Sequence, residues 1–182
     1  MHDRAFSSVA VTALVAILML CFGASGFSRS ARATVDDLQV GQTVAVGGKS
    51  PDARTIHANK IEIQQALREE KLKGRIQTID SVANSLVVLG TRIFAARDAQ
   101  IVDRAGSVIP FSSLQRGWMV KVKGRLQEGG GLHASEIKLS REEAPDEAEV
   151  EGRVQSIDKA RGTLTVAGLV IRLTATTMIK FD

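Results

Sequence analysis

Apolar residues fall on alternate positions through much of this chain. Val44 and Val46, Leu86 and Val88, and Val120 and Val122 each flank one intervening residue, with Lys121 and Lys123 interleaved in the last case. Such a period of two puts apolar side chains on one face of a strand and polar ones on the other. β-branched residues dominate these runs, as strands favour. Turn formers punctuate them: Val82-Ala83-Asn84, Ala160-Arg161-Gly162, Gly90, Gly168, Ser50-Pro51-Asp52-Ala53 and Glu128-Gly129-Gly130-Gly131. Glycine and asparagine tolerate the positive φ that tight turns need. The pattern therefore predicts an all-β chain of short strands, with a short helical turn at residues 110–114. Leu132 and Ala134 share a parity that Ile137 and Leu139 do not. That phase shift predicts a β-bulge near Ser135-Glu136.

The pattern also repeats. Gly74-Arg75-Ile76-Gln77-Thr78-Ile79-Asp80 returns as Gly152-Arg153-Val154-Gln155-Ser156-Ile157-Asp158 at a constant spacing of 78 residues. Leu38, Gly41, Val44, Val46, Gly48 and His57 return as Leu114, Gly117, Val120, Val122, Gly124 and His133 at a spacing of 76. A fixed-period repeat defines the folding unit. Residues 73–140 hold one whole unit of about five strands, which reads as a small OB-like barrel. Residues 34–66 hold only the second half of a unit, and residues 149–182 only the first half. Each half alone would leave open strand edges. The expected architecture is two barrels, one continuous and one assembled by pairing 149–182 with 36–64. That pairing is expected within one chain or, alternatively, between chains as a strand-exchanged homodimer. Residues 65–72 and the acidic linker at 141–148 read as charged, solvated connectors.

The motif G-[RK]-[IV]-x-x-[IV]-D, then L-x-x-G-x-x-V-x-V-x-G, then a glycine-rich turn and L-x-A-x-x-I, resembles the bacterial exported domain known as domain of unknown function 5666. The resemblance implies export and a small barrel. It implies no catalytic residue.

The N-terminus agrees with export. Arg4 precedes an uncharged apolar stretch at residues 9–22, and Ala31-Arg32-Ala33 fits the small-x-small pattern of a cleavage site. Residues 1–33 thus read as a signal peptide, with a periplasmic or secreted mature chain. The alternative is an inner-membrane anchor at residues 9–27, close to the ~20 residues that span a bilayer. Membrane contact is expected only in that uncleaved form. Cys21 is the only cysteine and lies in the leader, so no disulfide or thiol site is expected in the mature chain. Loss of Arg4, Arg29, Arg32 and Asp3 takes the formal charge from +4 to +2. So small a charge does not point to nucleic acid.

Candidate chemistry is sparse. His57 and His133 occupy equivalent places, but a metal needs several ligands at one point. Asp80 and Asp158 precede turns, where aspartate caps backbone N–H groups. The acidic run at 142–147 lacks the spacing of a calcium loop. No catalytic residue, metal or cofactor is expected. Lys121, Lys123 and Arg125 form a basic strand beside Trp118, and these four are the candidates for a ligand surface. The expected function is a non-enzymatic binding or structural module of the bacterial cell envelope, with an envelope protein or glycan as partner. The alternative is an envelope enzyme with a site at the interface between the barrels.

Overall fold

The computed structural model describes residues 32–52, 54–141 and 146–182. Residues 1–31, which hold nearly all of the expected leader, Ala53, and residues 142–145 of the expected acidic linker lie outside the described residues. The chain is all-β. In order, the strands are β1 (Arg32–Ala33), β2 (Thr43–Lys49), β3 (Thr55–Gln64), β4 (Glu70–Asp80), β5 (Ser85–Val88), β6 (Thr91–Val102), β7 (Met119–Leu126), β8 (Leu132–Leu139), β9 (Glu147–Asp158), β10 (Thr163–Val166) and β11 (Leu169–Phe181). Two 3-10 turns, Val35–Asp37 and Phe111–Ser113, precede β2 and β7.

Hydrogen-bonded pairing closes two rings of five strands. In ring one, β4 pairs with β5, β5 with β6, β6 with β8 in parallel, β8 with β7, and β7 with β4. In ring two, β9 pairs with β10, β10 with β11, β11 with β3 in parallel, β3 with β2, and β2 with β9. Val44 faces Gly152 and Val46 faces Val150, so the first strands of the chain and the last lie in one ring of the same molecule. Closure leaves few bare edges for a neighbour to extend.

Both rings carry the same devices. Lys123 pairs with Glu136 and Gly124 with Ala134, which leaves Ser135 as the extra residue of a bulge. Asn59 is its counterpart in β3, between the pairs Gly47–Lys60 and Gly48–Ala58. At each bulge the partner strand must come very close. A Cβ on Gly124 would stand 2.2 Å from the His133 carbonyl oxygen, and one on Gly48 2.2 Å from that of His57. This is why glycine recurs there.

The rings join through one short antiparallel contact. β4 and β9 pair at Lys71–Glu151, Leu72–Val150 and Lys73–Glu149. Leu72 and Val150 are themselves equivalent in the repeat, so a local two-fold axis passes through their pair. Buried Val46, Val150, Leu72 and Val122 lie side by side across β2, β9, β4 and β7. The apolar core runs through both rings.

Here the expected connectors need correction. Strand β4 already begins at Glu70 and β9 at Glu147, so Lys71, Leu72 and residues 147–149 are sheet. Their charge is high because alternate side chains point outward and pair across strands. Lys71 Nζ donates to both Glu151 carboxylate oxygens, at 2.9 and 2.8 Å. Lys73, only 8% exposed, lies 3.3 Å from both Glu147 and Glu149.

Charge reversal at Lys71 and Lys73 to Glu would set like charges opposite one another, two of them partly buried. We expect a loss of about 2–4 kcal/mol in urea unfolding. Adding Glu149→Lys and Glu151→Lys should recover most of it. Separately, Gly124→Ala should lower stability by about 2 kcal/mol or more, because the new methyl meets backbone rather than a movable side chain. Gly129→Ala tests a different cost, backbone strain at φ +90 in open space, and should lose only about 1 kcal/mol.

Candidate functional site

Among the described residues, two surfaces lie where the rings meet. One is the outer face of the sheet at the junction of the rings. The other is a groove between the rings.

On the outer face, strand pairing lines up side chains in rows. One row runs Gly47, Glu149, Lys73, Lys121, Lys138 across β2, β9, β4, β7 and β8. The next runs Ala45, Glu151, Lys71, Lys123, Glu136. A shallow cavity of about 230 Å³ lies over this face, with Ala45 and Gly47 as its small-residue floor on one side and Lys73 and Lys121 on the other. Most of the charges are matched. Lys123 meets Glu136 at 3.1 Å, and Glu62 accepts from Lys60 at 2.8 Å and Lys180 at 2.6 Å. Lys180 first, then Lys60, holds the Glu62 carboxyl below the usual glutamate range. Lys121 and Lys138 differ. They stand directly opposite each other, Lys73 stands opposite Lys121, and among the described residues neither Lys121 nor Lys138 has a carboxylate within ion-pair distance.

The four sequence candidates do not form one surface. Lys121 and Lys123 share the outer face, and Arg125 ends the same strand opposite His133. Trp118 lies before β7 and lines a separate cavity of about 350 Å³ with Asp103, Arg104 and Leu139. Its position in the chain suggested proximity, but the strand turns it toward the core, where it packs partly buried. Sequence reading missed Lys138, whose place opposite Lys121 depends on register alone.

Other singled-out residues have structural partners. Asp80 Oδ1 accepts from the N–H groups of Val82 and Ala83 at 3.0 Å each, and Asp158 Oδ1 from Arg161 at 3.0 Å. His133 packs its ring 5.4 Å from that of Phe94, and both His57 and His133 are exposed. Among the described residues no three His, Cys, Asp or Glu side chains gather where they could hold a metal. No described helix is long and apolar enough to cross a membrane.

The groove between the rings is wider, about 550 Å³, and is lined by the β5–β6 hairpin tip, the loop 126–131 and the β10–β11 tip. Both tips are strained alike. Leu89 and Gly90 take φ +51 and +70, and Ala167 and Gly168 take +49 and +78. Two consecutive positive φ values make the hairpin turn that matches strand twist. Burial of Leu89 and Ala167 against the core holds these non-glycine residues there. Gln77 accepts from the Gly90 N–H at 2.8 Å and Gln155 from the Gly168 N–H at 2.9 Å, which locks each tip. The shared glutamines were visible in the repeat, although their partners were not.

A family model for a domain of unknown function (DUF5666) matches residues 73–138 and again 151–182. The chain belongs to this family. The first DUF5666 match is ring one nearly entire, and the second is the first half of ring two. The strands that complete the second unit, β2 and β3, come from outside the matched residues. No curated protein and no solved structure matches the chain.

The ion pairs of Glu62 give a pH prediction. Its carboxyl is lowered in the fold, so its contribution to stability is full above the ordinary glutamate value near pH 4.3 and fades as pH falls through the lowered value. Thermal melts of the Glu62→Gln variant should therefore start lower at pH 7. They should also lose less than the parent between about pH 5 and pH 3.

Proposed function

We propose that this DUF5666 protein is an exported, non-enzymatic binding module of the bacterial cell envelope, and that the outer face of β7 and β8 takes an anionic glycan. The observation that carries this reading is the Lys73–Lys121–Lys138 row. Like charges placed directly opposite one another destabilise a sheet, and among the described residues no carboxylate pairs with Lys121 or Lys138. The equivalent positions in ring two are Ala45 and Glu62, so the barrel does not need lysine there. A shallow, open, basic face suits an extended polyanion, whose charges are spaced along a chain. The competing reading, an envelope enzyme with a site between the barrels, has the groove beside Arg92 and Glu128 as its place. Among the described residues that line it, no Asp or His joins Arg92.

Calorimetric titration with a sulfated polysaccharide such as heparin, and with neutral dextran as control, tests the proposal. Heparin should bind with a salt-dependent affinity. Lys121→Ala with Lys138→Ala should weaken it about tenfold, while Arg92→Ala with Glu128→Ala leaves it unchanged. Equal binding of dextran, or no effect of the lysine pair, would sink this assignment of the face.

A further inference from the structure

Arg32 and Ala33, the last two residues of the small-x-small motif at 31–33, belong to the folded barrel. Strand β1 is Arg32–Ala33 itself, paired antiparallel with β11 at Arg32–Lys180 and Ala33–Ile179. Ala33 is buried. Ring one shows why the barrel needs this piece. There Val108 bridges Val102, and the Ile109 N–H donates to the Ile101 carbonyl at 2.9 Å. Ile109 is the repeat equivalent of Ala33, and Ile101 that of Ile179. In ring one the covering strand follows β6 through the turn at 103–107, whereas in ring two it arrives from the N-terminal side of the chain. A cut after Ala33 would strip it away and bare the edge of β11 at Ile179, an exposed edge of the kind that invites foreign strands.

A second triplet fits the cleavage pattern. Ala24-Ser25-Gly26 places small residues at the same two positions and follows closely on the apolar run that ends at Phe22. We propose that the leader is cut after Gly26, so that the mature chain begins at Phe27 and keeps β1. The inference rests on the export reading above and changes its boundary from 33 to 26. Processing would then leave five residues, 27–31, before β1 in the mature chain.

The test is the intact mass and N-terminal peptide of the full chain expressed in a bacterial host, read separately in cytosolic, membrane and periplasmic fractions. A periplasmic chain starting at Phe27 supports the proposal. One starting at Thr34 overturns it while leaving export intact. A chain found only uncleaved overturns the processing assignment, and one confined to the cytosol overturns export as well. Gly26→Gln should accumulate precursor, whereas Ala31→Gln, which spoils only the downstream motif, should process normally. The reverse result would overturn the assignment. Purified 27–182 should melt roughly 3–8 °C above 34–182, and equal melting would show that β1 contributes nothing to the fold.

Discussion

Everything in this fold is organised around three residue pairs between β4 and β9. Leu72 faces Val150 at the centre, and Lys71 and Lys73 face Glu151 and Glu149 on either side. Each of these strands is the opening strand of its own ring. Each pairs on its other edge with the valine strand of that ring, β7 or β2. Because Leu72 and Val150 are repeat equivalents, their pairing relates the rings by a local two-fold and joins their cores. The charges then break the symmetry. Two identical units would place lysine against lysine or glutamate against glutamate, each unfavourable across a sheet. The chain instead carries lysines in one copy and glutamates in the other, so the contact favours one ring of each kind. Gly74 and Gly152 stand just beyond it, where a Cβ would crowd Leu89 and Val88 in one ring and Val166 in the other. Their absence of side chain lets each strand leave the shared sheet and turn into its own barrel.

The two rings are alike in strand order and differ in how the chain enters and leaves them. Ring one is continuous from β4 to β8. Ring two is opened at the point that the turn 103–107 bridges in ring one, so that β11 ends the chain while β1, β2 and β3 begin it. Long sequence separation between β2 and β9 has an entropic cost on closing, but one that grows only slowly with loop length. Ring one, folded between them, brings the two ends together, since β4 follows β3, β9 follows β8, and β4 pairs directly with β9. The rings also differ on their outer faces. Ring two carries Glu62 between two lysines, and ring one carries Lys138 at that place with no carboxylate paired to it among the described residues. Divergence at equivalent positions, in a fold that satisfies itself with either residue, is what supports the proposal of a ligand on the ring-one face.

Legibility followed locality. Turns at Asn84, Gly90, Gly162 and Gly168 could be read because positive φ selects for glycine and asparagine. Leu89 and Ala167 could not, since their positive φ is held by burial that no local pattern shows. The bulge at Ser135 appeared as a slip in apolar parity, which is a local signal. The strand content of residues 70–72 and 147–149 was hidden by dense charge, which alone resembles a solvated connector. In the sheet the same charges are cross-strand partners, and Lys73 is nearly buried between two carboxylates. Trp118 and Lys121 are three residues apart and looked like neighbours on one surface. The entry into β7 sends them to different sides.

The sequence by itself determined the repeat unit, its strand and turn chemistry, and the need for each half unit to find the other. These follow from period-two patterning and glycine placement, which act within a few residues. Only the tertiary structure decided that the halves close within one chain and that the rings meet at Leu72 and Val150. It also decided that Lys121 faces Lys138 and that Arg32–Ala33 is a strand of the barrel. Those depend on register between strands far apart in sequence, which is set by packing of the whole core and not by any local preference.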